Sequence, residues 1–172
     1  MNNYIEQSTA KRAKERDITF HYTNEQLVKD LIETIPIENG DTLLDAGSGK
    51  NKVFFNNFPK ENKKYECEIE DGVDFLDWNE RVSWTIGNPP FSLGWKFLEK
   101  ASMISDKGIA FLGNINFFNC LSQKRLQELK DRGFYINHIH IVSDARWYGR
   151  YFFIIFQKNK NDLFSWKRET YK

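Results

Sequence analysis

The sequence predicts an α/β domain, a parallel βα series closed by an antiparallel hairpin. Three observations carry that prediction. The 172 residues are 40% hydrophobic and 16% aromatic, enough length and apolar content for one folded domain with a sizeable core. Short apolar runs alternate with stretches of helical periodicity. The last two apolar runs are joined only by Ser143 to Arg150, which leaves no room for a crossover helix.

The elements follow in order. Residues 1–17 are read as an arm, in which Lys11, Arg12, Lys14 and Arg16 are set against Glu15. Thr23 and Gln26 have the spacing of a helix capping box, Leu27, Val28, Leu31, Ile32 and Ile35 recur at helical spacing, and Pro36 stops the helix. Thr42 to Ala46 reads as a first strand, and Gly47–Ser48–Gly49 turns into a short helix carrying Val53, Phe54 and Phe58. Tyr65 to Ile69 alternates as a second strand, Val73 to Leu76 is expected as a third, and Val82 to Ile86 as a fourth. Trp95 to Ile104 is helical, Gly108 to Gly113 is a buried strand, and Leu121 to Arg132 is an amphipathic helix stopped by Gly133. Ile136 to Val142 and Tyr151 to Gln157 complete seven expected strands, and residues 159–172 are read as a polar tail.

Composition excludes several classes of function. The longest apolar run, Tyr151 to Phe156, is too short to span a membrane, and the polar opening has no signal-like apolar segment, so an intracellular, soluble, cytoplasmic protein is expected. Two cysteines and three histidines, without ligand spacing, argue against a disulfide framework and a metal site. Lys and Arg total 25 against 24 Asp and Glu, a net charge of +1, so any nucleic-acid surface has to be local. Gly49–Lys50 is not a phosphate loop: Leu44 stands where the leading glycine is required and Asn51 where Ser or Thr is required.

Two motifs remain. Asp45–Ala46–Gly47–Ser48–Gly49 puts an acid and two glycines where the first strand meets its helix, the place where ligands approach the backbone in doubly wound folds. Alone, this pattern is equally a tight turn. Asn88–Pro89–Pro90–Phe91 follows the fourth predicted strand; two adjacent prolines stiffen the turn and fix the direction of its carbonyls and of the Asn88 amide.

The ordered set of Asp45–Ala46–Gly47–Ser48–Gly49, Tyr65–Glu66–Cys67–Glu68–Ile69, Val73–Asp74–Phe75–Leu76 and Gly87–Asn88–Pro89–Pro90–Phe91 resembles S-adenosylmethionine-dependent amino-methyltransferases. It is most similar to the DNA adenine-N6 group in which the cofactor motif precedes the catalytic one, and the resemblance spans Ile18 to Gln157. It implies a Rossmann-like class I methyltransferase fold with a seven-stranded, mostly parallel sheet and a C-terminal antiparallel hairpin. The implied catalytic domain covers 18–158, with no separate target-recognition domain. The implied cofactor is S-adenosyl-L-methionine. Asp45, Ala46, Gly47 and Gly49 would face its methionine portion, Glu68 its ribose hydroxyls and Asp74 its adenine amine, with Thr23 and Asn88 also in contact. Two departures stand out: Asn24 replaces the proline usual after Thr23, and only five residues separate Glu68 from Asp74. Glu70 and Asp71 are therefore alternatives for the two acidic roles, and each acid could equally be a strand-end charge or a turn cap.

The resemblance further implies methyl transfer to the exocyclic N6 amine of adenine, with Asn88, Pro89, Pro90 and Phe91 catalytic and no metal. Arg146, Trp147, Tyr148 and Arg150 interleave charge and aromaticity in the hairpin loop and are candidates, with Phe91, for holding the substrate. DNA is the expected partner, with a specificity subunit as a further one. An RNA base methyltransferase and a non-catalytic, cofactor-binding subunit of a heteromeric enzyme are the alternatives.

Overall fold

The computed structural model describes residues 23–143 and 149–158. Its six strands are β1 (Thr42–Ala46), β2 (Lys63–Cys67), β3 (Val82–Gly87), β4 (Ser105–Asn114), β5 (Tyr135–Val142) and β6 (Tyr151–Gln157), in the order β2-β1-β3-β4-β6-β5. The pairs β1–β2, β1–β3 and β3–β4 are parallel, whereas β6 runs antiparallel to both β4 and β5. This is the expected α/β architecture with its closing hairpin.

The expected seventh strand is absent from the described residues. Val73 to Leu76 does not pair; Phe75–Asp77 is a 3₁₀ turn whose N-cap, Asp74, accepts from the Leu76 amide at 2.9 Å. The physical reason is reach. β2 ends at Cys67, and returning to a parallel neighbour takes a dozen or more residues, more than the chain has before Phe75. A second 3₁₀ turn, Ile69–Asp71, capped by Glu68, occupies the interval instead. Phe75 is still buried, with its ring centroid 4.8 Å from that of Phe97.

The helices are α1 (Glu25–Glu33), α2 (Val53–Asn57), α3 (Gly94–Ile104), α4 (Ile115–Asn119) and α5 (Gln123–Asp131). The cap of α1 is Asn24 rather than Thr23: its side chain accepts from Gln26 N at 2.8 Å and Leu27 N at 3.3 Å, and asparagine is as good an N-cap as threonine. Val28, Leu31 and Ile32 bury the inner stripe of α1. Helix α4 has no counterpart in the sequence reading. Asn114 caps it, and its Phe117 is fully buried where Gly94 and Gly113 leave room; a Cβ at either glycine would come within 2.6 Å of that ring.

The core has two parts, one on each face of the sheet. One holds Leu44, Phe97, Leu98, Phe111 and Phe117; the other holds Val28, Leu43, Phe54, Trp84 and Phe153. The sheet has edges at β2 and β5, and on β5 Ile141 is 75% exposed. His138 and His140 stack on β5 with ring centroids 5.2 Å apart. Tyr151 pairs with both Asn114 and Val142, so β5 ends and β6 begins at the carboxyl end of β4. Among the described residues no helix is long and apolar enough to cross a membrane, and no group of three or more His, Cys, Asp or Glu is placed to hold a metal.

Candidate active site

A cavity of about 370 Å³ opens at the carboxyl ends of the parallel strands, within the size range of small-molecule sites. It is walled by the glycine turn after β1, the 3₁₀ turn after β2, the segment around Asp74 and the Asn88–Pro89–Pro90 turn after β3, with Thr23 before α1 and Val53 and Phe54 of α2 also lining it. Leu93 and Phe97 add apolar surface below.

The glycine turn is shaped by backbone that only glycine adopts readily. Gly47 has φ 76° and Gly49 φ 64°, both left-handed. The amides of Gly47 and Ser48 donate to the Cys67 carbonyl at 3.1 and 2.9 Å, fastening the turn to the end of β2. The Gly49 amide donates to Glu68 Oε2 at 2.6 Å, while Glu68 Oε1 accepts from the Glu70 amide at 3.2 Å. Glu68 is thus half-buried and oriented by two backbone donors. Glu70 is exposed and pairs with Lys50 at 3.3 Å, so of the two candidate acids Glu68 is the held one, although both line the cavity. Asp74 caps its turn and lines the cavity as well.

Asp45 lies beneath the turn. It is 1% exposed; Oδ2 accepts from the Phe55 amide at 3.0 Å, joining β1 to α2, and Oδ1 is buried with no hydrogen-bond partner. Burial pushes its carboxyl up to about 7, against the Phe55 hydrogen bond and with the help of the Glu66 and Glu68 charges. Burial also pushes the neighbouring Cys67 thiol up to about 12, so it is no nucleophile at neutral pH.

β3 enters the same space through Gly87. A Cβ there would lie 2.9 Å from the Ala46 carbonyl oxygen and 3.1 Å from Asp45 Oδ1, so glycine lets the ends of β1 and β3 close together. Asn88 follows directly; its Oδ1 is buried and has no hydrogen-bond partner. Pro89 is buried, Pro90 exposed, and a 3₁₀ turn from Phe91 to Leu93 leads straight into α3.

Thr23, Gly47, Gly49, Glu68, Asp74 and the Asn88–Pro90 turn are therefore brought to one cavity. Asp45 and Ala46 sit behind its wall, both buried, rather than on it. Phe91 is not on the wall either: its ring lies 6.0 Å from that of Tyr151, at 59°. Arg150 is exposed just before β6, whereas Arg146, Trp147 and Tyr148, like the basic arm, lie outside the described residues. The sequence reading missed Tyr151 as a neighbour of Phe91, at the end of the Asn88–Pro89–Pro90 turn. Its place depends on the β4–β6 register, which pairs Tyr151 with Asn114 at the carboxyl end of β4, and no local pattern announces that.

No protein-family model matches the chain, and no curated protein sequence does. Solved structures do share its fold. Precorrin-6y C5,15-methyltransferase from Geobacter metallireducens GS-15 is 12% identical, with 81% of this chain and 91% of that one covered at a TM-score of 0.60. SAM-bound magnesium protoporphyrin IX methyltransferase from Synechocystis PCC 6803 is 12% identical, with 85% and 83% covered at 0.56. Ribosomal protein L11 methylase from Lactobacillus delbrueckii subsp. bulgaricus is 13% identical, with 78% of each chain covered at 0.55. At such identities the likeness is one of fold: the chain has the Rossmann-like fold of class I methyltransferases, with six described strands.

Proposed function

We propose that this protein is an S-adenosylmethionine-dependent methyltransferase acting on the exocyclic N6 amine of adenine in nucleic acid, DNA by preference. The observation that carries the reading is one juxtaposition. The glycine turn, Glu68 and Asp74 share a cavity with an asparagine whose side-chain oxygen is buried and lacks a partner. A buried acceptor left unpaired is costly, and an incoming amine would satisfy it.

The residues fit the cofactor. A Cβ on Gly49 would meet nothing within 4 Å, so the turn leaves open space for a ligand against its backbone. Asp45, behind the wall and out of direct contact, would favour a cationic ligand in the cavity through its charge when ionised. Glu68 and Asp74 present acceptor oxygens on the far wall, suited to ribose hydroxyls and to an adenine amine, with Ile69 and Leu76 as apolar surface between them. When bound, S-adenosylmethionine supplies an electrophilic sulfonium methyl.

The chain's own part is to prepare the target amine. That nitrogen is a poor nucleophile because its lone pair is delocalised into the base. The Asn88 side-chain oxygen and the Pro89 carbonyl, held by the stiff double-proline turn, would accept its two hydrogens and turn the lone pair toward the methyl group. Phe91, next to the Asn88–Pro89–Pro90 turn, packs against Tyr151, and stacking a base on such a ring would be worth roughly 1–3 kcal/mol. A base in a duplex would have to be flipped out to reach Asn88. Arg150 stands exposed at the same edge for a phosphate contact.

The test is transfer of a tritiated methyl group to duplex DNA, single-stranded DNA and structured RNA, followed by nucleoside identification. N6-methyl-2′-deoxyadenosine from the DNA arms is the expected product. Methylation confined to the RNA arm would move the substrate to RNA, and no methylated nucleic acid despite cofactor binding would remove the amine assignment.

A further inference from the structure

Lys52 holds a backbone conformation that ordinary residues avoid. Its φ of 47° and ψ of 43° are left-handed, and it is the one described non-glycine residue with positive φ. A Cβ makes that geometry unfavourable, less so for asparagine and not at all for glycine. Lys52 precedes α2 without capping it by a side-chain hydrogen bond.

Its amine is engaged elsewhere. Nζ lies 2.5 Å from Glu66 Oε1 and 3.0 Å from Asp71 Oδ2, and Glu66 Oε2 accepts from the Ser48 hydroxyl at 2.9 Å. One cation thus ties together the end of β2, the 3₁₀ turn after it, and the glycine turn. These are the pieces whose spacing sets the bond from Gly49 to Glu68. Asp45, Glu66, Glu68, Glu70, Asp71 and Asp74 crowd the same end of the sheet, and their mutual repulsion works to spread those pieces apart. Lys50 is the other lysine within that group, but its pair with Glu70 is largely exposed and screened by solvent.

We infer that Lys52 is a positioning residue that braces the cavity wall in its ligand-binding shape before any ligand arrives. It acts on cofactor affinity and not on the methyl-transfer step, because a wall already ordered does not have to be ordered by the ligand. The cofactor part of this rests on the function proposed above; the bracing part does not.

Lys52→Asn separates brace from backbone, since asparagine tolerates the left-handed conformation but brings no charge. Amide hydrogen exchange is measured on the ligand-free protein over residues 47–51, alongside melting temperature, S-adenosylmethionine calorimetry and steady-state kinetics. The expected result is exchange at Ser48 and Gly49 faster by about tenfold, an affinity weaker by about tenfold, a raised KM with kcat held, and a melting temperature near wild type. Lys52→Arg should restore both exchange and affinity. Unchanged exchange in Lys52→Asn overturns the brace. Faster exchange together with unchanged affinity overturns its role in binding. If exchange quickens but the wild-type chain itself binds no S-adenosylmethionine, the brace stands and the cofactor assignment is what fails.

Discussion

Asp45→Asn should make the protein more stable above neutral pH while weakening its hold on the cofactor. Burial raises the Asp45 carboxyl from 3.8 to about 7, which corresponds to about 4 kcal/mol of penalty on the folded state once the group is ionised. The sign follows from proton counting. Between those two values the folded protein binds more protons at this site than the unfolded chain does. Stability from Asp45 is therefore full below about pH 4 and drains away as pH rises through 7. Asparagine keeps the shape and can still accept from the Phe55 amide, but it places an amide nitrogen where Oδ1 now lies buried without a partner, at a cost of about 1–3 kcal/mol. The removed penalty is the larger of the two at pH 8, so the variant should be the more stable there, whereas at pH 4 it should be the less stable of the two. Urea denaturation of both proteins at several pH values measures this as a difference. His140, whose pKa is lowered by burial and by the neighbouring His138, contributes a slope of opposite sign that cancels between the two proteins. A variant less stable than wild type by a constant amount at every pH would refute the reasoning. Calorimetry supplies the other half: wild-type affinity for the cationic cofactor should climb between about pH 6 and 8, and the variant's should be weaker and flat.

Three more perturbations test the site. Glu68→Ala removes the acceptor of the Gly49 and Glu70 amides as well as the ribose acceptor, so S-adenosylmethionine binding should fall at least about tenfold, with about 1 kcal/mol of stability lost, by calorimetry and urea titration. Asn88→Ala should abolish methyl transfer yet leave cofactor affinity within a few-fold; turnover equal to wild type in the tritium assay would take Asn88 out of the mechanism. Replacing Arg146 and Arg150 by alanine should weaken DNA binding and flatten its salt dependence, by about 1 in slope for each phosphate no longer neutralised, read from isotherms at several salt concentrations.

β1, β3 and β4 were legible because each holds a short apolar run that ends at Gly or Asn, and their alternation with helical stretches points to parallel pairing. Val73 to Leu76 failed as a strand because local β-propensity says nothing about whether a crossover can reach; the seven residues from Glu68 to Asp74 decide that. Helix α4 was hidden because five residues are too few for a period, and what holds it is Phe117 against two glycines, one of them on another helix. The site reads well where backbone demands announce it, as at Gly47, Gly49 and the Pro89–Pro90 pair. It reads poorly where a role comes from register or from strain, as with Tyr151 and Lys52.

The two margins of the sheet differ in how they would meet another polypeptide. β2 is five residues long and brings two lysines, with the Lys63 amine over the Tyr65 ring and the Lys64 amine over that of Phe55, so an approaching strand would have to strip water from both charges. β5 runs for eight residues without an Asp, Glu, Lys or Arg, and Ile141 stands out from it. Of the two margins, β5 is therefore the one that would accept another strand at the smaller cost in charge desolvation. Ile141→Lys would blunt it while leaving every wall of the cavity untouched.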